Sequence, residues 1–263
     1  MAERASSTPS DGYVVRGAWY LTVTERVPAT KGDLRGRNAK GGRIKPRTTH
    51  HAPFRRKLLI WFSKHARPLP WRRTRDPYKV LVSEFMLQQT QVSRVEQFYP
   101  RFLKRFSSIE VLARARPKAV REAWDGLGYY ARAANLHALA KQVSGVRGRV
   151  PDTPEELIKL PGVGRYTAGA VACFAYEKAV PAVDTNVARV IARVFLGRER
   201  KKVDSKELWT IAGEMVPKDA KRAWKFNQAI MELGATVCTA RKPRCPECPV
   251  VRDCKVGRRL DRG

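Results

Sequence analysis

The sequence predicts an all-α protein, and three observations predict it. Apolar residues recur at spacings of three and four through most of the chain beyond residue 53. Pro and Gly punctuate the joints between these stretches, and no segment there alternates apolar and polar residues as a half-buried strand would. With 263 residues, 43% of them hydrophobic, the chain is long and apolar enough to bury a substantial core.

Residues 1–52 are rich in Ser, Thr, Gly, Arg and Lys without a sustained period, and are predicted to be a disordered basic arm. Within it "GAWYLTV" could form a short strand, but no partner strand is evident. The helical pattern then runs through "FRRKLLIWFSKHA", "VLVSEFMLQQTQVSRVEQFYPRFLKRF", "PKAVREAWDGLG", "YARAANLHALAKQV", "PEELIKL", "YTAGAVACFAY", "NVARVIARVF", "SKELWTIAGEMV" and "AWKFNQAIMELGATVC". A basic tail, 257–263, closes the chain, and no internal repeat is present.

Lys and Arg number 53 against 24 Asp and Glu, giving a formal net charge of +29. The arm holds ten basic and four acidic side chains, so most of the excess sits on the folded body. Such a field favours a polyanion, nucleic acid above all. Adaptation to high temperature and association with ribosomes are the plainer readings of the same charge. No run approaches the ~18 apolar residues of a membrane span, and the N-terminus lacks the apolar segment of a secretion signal. An intracellular protein without a membrane partner is expected, in the cytoplasm or nucleoid.

Four of the five cysteines crowd the C-terminal region as C-x6-C-x2-C-x5-C: Cys238, Cys245, Cys248 and Cys254. In a reducing compartment four close thiolates imply a metal centre rather than disulfides. Structural zinc sites usually offer two short pairs, whereas one pair and uneven spacing suit an iron-sulfur cubane better; both stay open on spacing. Arg241, Lys242, Arg244 and Arg252 would turn positive charge outward from this loop, either as a solubilising rim or as phosphate contacts. Cys173, among apolar neighbours, reads as an inert core thiol.

"LPGVGRYTAGAV" carries a glycine-rich turn between "EELIKL" and a second helix, which makes a helix-hairpin-helix unit. Glycines at such a turn allow positive φ and close backbone approach, and the following helix presents free N–H groups to a phosphate. Gly162, Val163, Gly164 and Arg165 are the candidate phosphate contacts. Further on, Asp184 in "VDTNVARV" stands where a helix should begin; an N-cap role is sufficient for it. Held by N–H donors at the positive end of a helix, its carboxylate is expected to stay ionised and able to stabilise a cation. Glu84 lies among Val80, Leu81, Phe85 and Leu87 on a helix expected to be buried. Burial would raise its pKa into the range of a proton donor, unless an arginine of "WRRTRD" pairs with it. One acid of each kind is the pair that cleaves glycosidic bonds.

The hairpin, Asp184 and the four-cysteine loop together resemble the endonuclease III superfamily of DNA glycosylases. More narrowly, "LPWRRTRDPYKVLVSEFMLQQTQV", "GLGYYARAANLHALA", "LPGVGRYTAGAVACFAY", "VDTNVARV" and "FNQAIMELGATVC" resemble the MutY-type adenine glycosylases, over Phe54 to Cys254. The resemblance implies two helical domains with the active site in the cleft between them. Residues 78–185 would form the helical-barrel domain; 53–77 with 186–256 would form the domain of a 4Fe-4S cluster held by the four cysteines.

It further implies a monomeric enzyme of base excision repair acting on double-stranded DNA with a mismatch, which flips out adenine paired with 8-oxoguanine or guanine and hydrolyses its bond to the sugar. Glu84 would protonate N7, and Asp184 would stabilise the oxocarbenium ion at C1′ or trap it covalently. Tyr166 and Asn186 would support that state. Gln89 and Tyr129 or Tyr130 would wedge the vacated stack; Arg72, Leu87 and Glu232 would line the base pocket. An alkali cation could sit on the hairpin carbonyls. Relatives that cut the strand carry a lysine where Tyr166 stands, so a monofunctional glycosylase is expected.

Two alternatives remain: a thymine or uracil mismatch glycosylase, in which tyrosine also occurs at that position, and a catalytically silent DNA-binding protein. MutY-type proteins usually continue into a second domain that reads 8-oxoguanine, whereas nine residues follow Cys254 here. Action on A·G as readily, or lesion reading by a partner, is the corresponding expectation.

Overall fold

Helix α1 begins at His51, two residues inside the segment expected to be an arm, and runs to His65. It does so because Phe54, Leu58 and Phe62 fall on one face at intervals of four and bury together. The computed structural model describes residues 51–145, 148–198 and 203–260. The rest of the arm, the "GAWYLTV" segment and the last three residues lie outside these. Every regular element among the described residues is a helix or helical turn, and no helix there is long and apolar enough to cross a membrane.

A 3₁₀ turn at Pro70–Arg73 leads to α2, Pro77–Leu87. Asp76 starts α2 by accepting from the Tyr78 and Lys79 amides at 2.9 and 3.2 Å, with Pro77 in the first turn. Tyr78 and every residue from Val80 to Met86 are buried, so α2 is enclosed on all faces. The single periodic stretch read over 80–106 breaks here: Gln89 adopts φ 56°, and α3 restarts at Val92 and ends at Arg105. Helix α4, Ile109–Arg114, was not expected; with six residues its pattern never repeats, and Ser108 caps it.

Helices α5 (Pro117–Ala123), α6 (Ala131–Gly145), α7 (Pro154–Leu157) and α8 (Arg165–Tyr176) follow. Then come α9 (Thr185–Ile191), which continues into a π-helical turn at Ala192–Leu196, α10 (Ser205–Met215) and α11 (Ala220–Thr236). The expected tail instead starts as a helical turn, α12, at Gly257–Leu260. Helix α2 lies against α3, α6 and α8, while α11 lies against α1, α8 and α9. Thr167 to Phe174 of α8 are buried without interruption, Cys173 included, and burial pushes that thiol up to about 11. It is a core residue, as its neighbours in the sequence suggested.

Candidate active site and four-cysteine cavity

The hairpin is built as expected. Leu157, Leu160 and Val163 anchor it in the core, and Gly162 takes φ +74°. A Cβ on Gly162 would stand 2.7 Å from Asn135 Cβ and 2.8 Å from Phe85 Cε1, so glycine is required for closeness as well as for conformation. Gly164 precedes α8 with no side-chain cap, which leaves the first amides of that helix without a side-chain acceptor. The Arg165 guanidinium lies over the Trp209 ring at 4.0 Å.

Helices α2 and α8 carry the central pair. Glu84 is 4% exposed, and its Oε2 accepts a 2.7 Å hydrogen bond from the Tyr166 hydroxyl. Burial pushes Glu84 up to about 7; the Tyr166 bond opposes the rise and the nearby Asp184 charge adds to it. No arginine of "WRRTRD" takes Glu84: Arg72 bonds Glu232 and Gln228, and Arg75 lies against Glu177 and Trp224. The Tyr166 phenol itself is held well above its ordinary value by burial and by both carboxylates.

Asp184 is the N-cap of α9, accepting from the Val187 amide at 2.7 Å and from Asn186 Nδ2 at 2.8 Å. One expectation is corrected here. These donors favour the charged form, but burial outweighs them and moves the carboxyl above the ordinary aspartate range. The side chain keeps partial access to solvent. Asn186 in turn accepts from Arg189 at 2.7 Å, and the same guanidinium reaches the carbonyls of Gly234 and Cys238 at 2.7 and 2.8 Å. Gly234 permits this: a Cβ there would stand 2.7 Å from Asn186 Cβ.

Arg72 and Glu232 also meet, in a network the sequence did not reveal. Glu232, 1% exposed, accepts from Arg67 Nε and Arg72 Nη2, both at 2.6 Å, while Arg72 Nε donates to Gln228 at 2.7 Å. Burial alone would raise Glu232, yet the two guanidinium groups hold it below the usual carboxylate range. Leu87 ends α2 half-buried. Gln89 is exposed just beyond, and Tyr129, 59% exposed, takes φ 48° on the loop before α6. Tyr130 differs: its hydroxyl bonds Asp125 and Arg121 covers its ring at 4.9 Å, so it is engaged within its own loop.

Cys238, Cys245, Cys248 and Cys254 line one cavity, walled by Val190, Leu233 and Val250 among others. Among the described residues no three His, Cys, Asp or Glu side chains converge as ligands of one metal ion. The sulfurs also receive donors: the Gly257 amide reaches Cys254 Sγ at 3.3 Å, and Arg193 Nη1 reaches Cys238 Sγ at 3.6 Å. Arg193 further fastens the loop through the carbonyls of Thr239 and Ala240. Arg241, Lys242, Arg244 and Arg252 are all exposed, as expected.

Arg67, Arg189 and Arg193 were missed by the sequence reading. For the latter pair a signal existed, since two arginines at i and i+4 in the otherwise apolar "NVARVIARVF" face the interior rather than solvent.

A helix-hairpin-helix turn, a buried Glu84 and a helix-capping Asp184 within one all-helical body are the features to set beside known proteins. Residues 82–213 match the model of the HhH-GPD superfamily base excision DNA repair proteins, and the chain belongs to that family. It is 44% identical over 222 residues to the adenine DNA glycosylase of Rattus norvegicus, covering 80% of this chain and 43% of that one. It is 47% identical over 195 residues to the adenine DNA glycosylase of Mycolicibacterium smegmatis, covering 73% and 66%. A solved thermostable thymine-DNA glycosylase is similar at TM-score 0.75 and 30% identity, over 82% of this chain and all of that one. The chain thus spans less than half of the rat relative.

Proposed function

We propose that this protein is a monofunctional DNA glycosylase that hydrolyses the bond between adenine and deoxyribose in DNA, where adenine stands opposite 8-oxoguanine or guanine. The observation that carries the reading is the Tyr166 bond to a buried Glu84 in the field of Asp184. An acid near 7 is about half protonated at neutral pH, the condition for a general acid. In the proposed reaction Glu84 gives its proton to N7 of the flipped base as the C1′–N9 bond breaks and its electron pair leaves on adenine. Asp184, when ionised, faces the cation left at C1′. Water then adds there and returns a proton to the Glu84 carboxylate, which has switched from acid to base. Asn186 orients Asp184 through its 2.8 Å bond, and Arg189 holds Asn186.

Adenine is favoured by the identity to adenine glycosylases on two sides, 44% and 47%, against 30% to the thymine enzyme. The DNA partner is supported by the hairpin and the charge of +29. In this reading residues 78–185 bear Glu84 and Tyr166 and residues 53–77 with 186–256 bear Asn186 and the cysteines, with Asp184 at the joint.

Cys238, Cys245, Cys248 and Cys254 would hold a 4Fe-4S cluster. Four soft sulfurs lining one cavity fit a metal-sulfur centre, and one short pair with uneven spacing suits a multinuclear one better than zinc. When bound, the cluster would supply a cross-link fixing the basic loop against α9 and α11.

The test is base release from duplexes bearing A, T or U opposite G or 8-oxoguanine, with Asp184→Asn beside the wild type. Asparagine still caps α9, so the variant should keep affinity and lose turnover. Release of T or U alone would assign the thymine/uracil chemistry instead, and no release from any duplex would leave a DNA-binding protein.

A further inference from the structure

We propose that Arg132 is a positioning residue that couples the two wedge loops, so that Gln89 and Tyr129 enter DNA as one rigid element. The proposal rests on the glycosylase reading above, in which these two side chains fill the vacated stack.

Arg132 is the second residue of α6 and 4% exposed. Its guanidinium divides its donors between two segments. Nη1 reaches the last carbonyls of α2 and the residue after it: Phe85 at 3.0 Å, Met86 at 2.8 Å and Gln88. Nη2 reaches the carbonyls of Leu127 and Gly128, both at 3.1 Å. The terminal carbonyls of a helix have no partner within it and sit at the negative end of its dipole, so a permanent cation is stabilising there. The five acceptors thus come from two chain segments some forty residues apart in sequence, and one planar group joins them.

The register of these bonds matters. Gln89 follows Gln88, and Tyr129 follows Gly128, so each wedge candidate is the residue next to a carbonyl that Arg132 holds. Gln89 at φ 56° and Tyr129 at φ 48° are two of the three non-glycine residues in left-handed conformation among the described residues. Such a backbone is unfavourable for residues with a Cβ and persists where the surroundings impose it. Arg132 is also placed over the rings of Trp124 and Tyr129, at 5.6 and 5.4 Å. A lysine offers three donors on one nitrogen and lacks the fork that spans both segments.

Arg132→Lys and Arg132→Met test the coupling through two readouts. Hydrogen exchange on the free protein should show the amides of 86–91 and 126–131 exchanging faster together, with the hairpin amides of 160–165 unchanged. Single-turnover release should fall about tenfold or more from adenine opposite guanine, which must be forced out of a stacked pair. From adenine opposite a tetrahydrofuran abasic analogue, with no pair to break, it should fall less than threefold. Adding Tyr129→Ala to Arg132→Lys should then cost little more. Equal losses on both substrates, loosening of one loop alone, or additive losses in the double variant would each overturn the proposal. Should Arg132→Met fail to fold, the lysine variant carries every measurement. If the wild type releases no base from any duplex, the glycosylase reading fails, while the exchange experiment still decides whether Arg132 couples the loops.

Discussion

The Tyr166 hydroxyl donates to Glu84 Oε2 across 2.7 Å, from helix α8 to helix α2, and favours the charged form of an acid that burial pushes the other way. Glu84 near 7 predicts that base release falls as pH rises through that value, because the proton donor is lost. In Tyr166→Phe the opposing bond is gone, so the descending limb should move to higher pH. The variant should keep a larger fraction of its pH 6 rate at pH 8 than the wild type does. A limb that stays in place, or moves to lower pH, would show that Tyr166 does not tune this acid.

The same shift predicts a stability effect of definite sign. The folded-state value near 7 lies above the ordinary 4.5, so the folded protein holds this proton more tightly than the unfolded chain. The stability this confers is complete below 4.5 and is lost as pH rises through 7, amounting to on the order of 3 kcal/mol. Glu84→Gln cannot ionise. Its melting temperature relative to wild type should therefore climb between pH 4.5 and pH 8, and a constant difference across that range would contradict the burial argument.

Schiff-base chemistry is a separate matter. Position 166 offers a phenol held far above its ordinary value rather than an amine. Borohydride added during turnover should leave almost no covalent protein–DNA complex. Abundant trapping would mean that another amine attacks C1′.

At the hairpin, Gly162→Ala combines φ +74° with a Cβ pressed on Asn135 and Phe85. A cost of about 2 kcal/mol or more is expected, with DNA affinity reduced for matched and mismatched duplexes alike, because phosphate docking reads no base. Loss confined to mismatched DNA would place Gly162 in base recognition instead.

What was legible in the sequence was whatever local spacing encodes. Asp184 could be read as a cap, Glu84 as buried among apolar neighbours, and the hairpin from its glycines, since each depends on residues within a turn or two. The upward shift of Asp184 could not be read, because it arises from burial by the tertiary fold, which outweighs the local donors. Nor could the roles of Arg67 and Arg132: among 53 basic residues nothing local marks the few whose partners lie on distant helices. The break between α2 and α3 was hidden for a related reason. Gln89 has no intrinsic preference for positive φ, and the Arg132 that bonds the neighbouring Gln88 carbonyl lies more than forty residues further along the chain.

The Glu232 network yields the sharpest asymmetry. Its carboxylate is 1% exposed and serves two guanidinium groups, of which Arg72 is nearly buried while Arg67 is more than a third exposed. Removing the shared anion leaves a buried cation without its charge partner, a change that typically costs 3–5 kcal/mol. Removing Arg67 leaves Glu232 still paired with Arg72 and exposes mainly groups that water can reach. Glu232→Gln should therefore lower the melting temperature far more than Arg67→Ala, although the glutamine is the closer isostere. Arg72→Met should fall between them, because Glu232 keeps Arg67 while Gln228 loses its donor. Thermal denaturation of the three variants at pH 7 checks the order, and equal losses from Glu232→Gln and Arg67→Ala would mean that the network is solvated and contributes little to the fold.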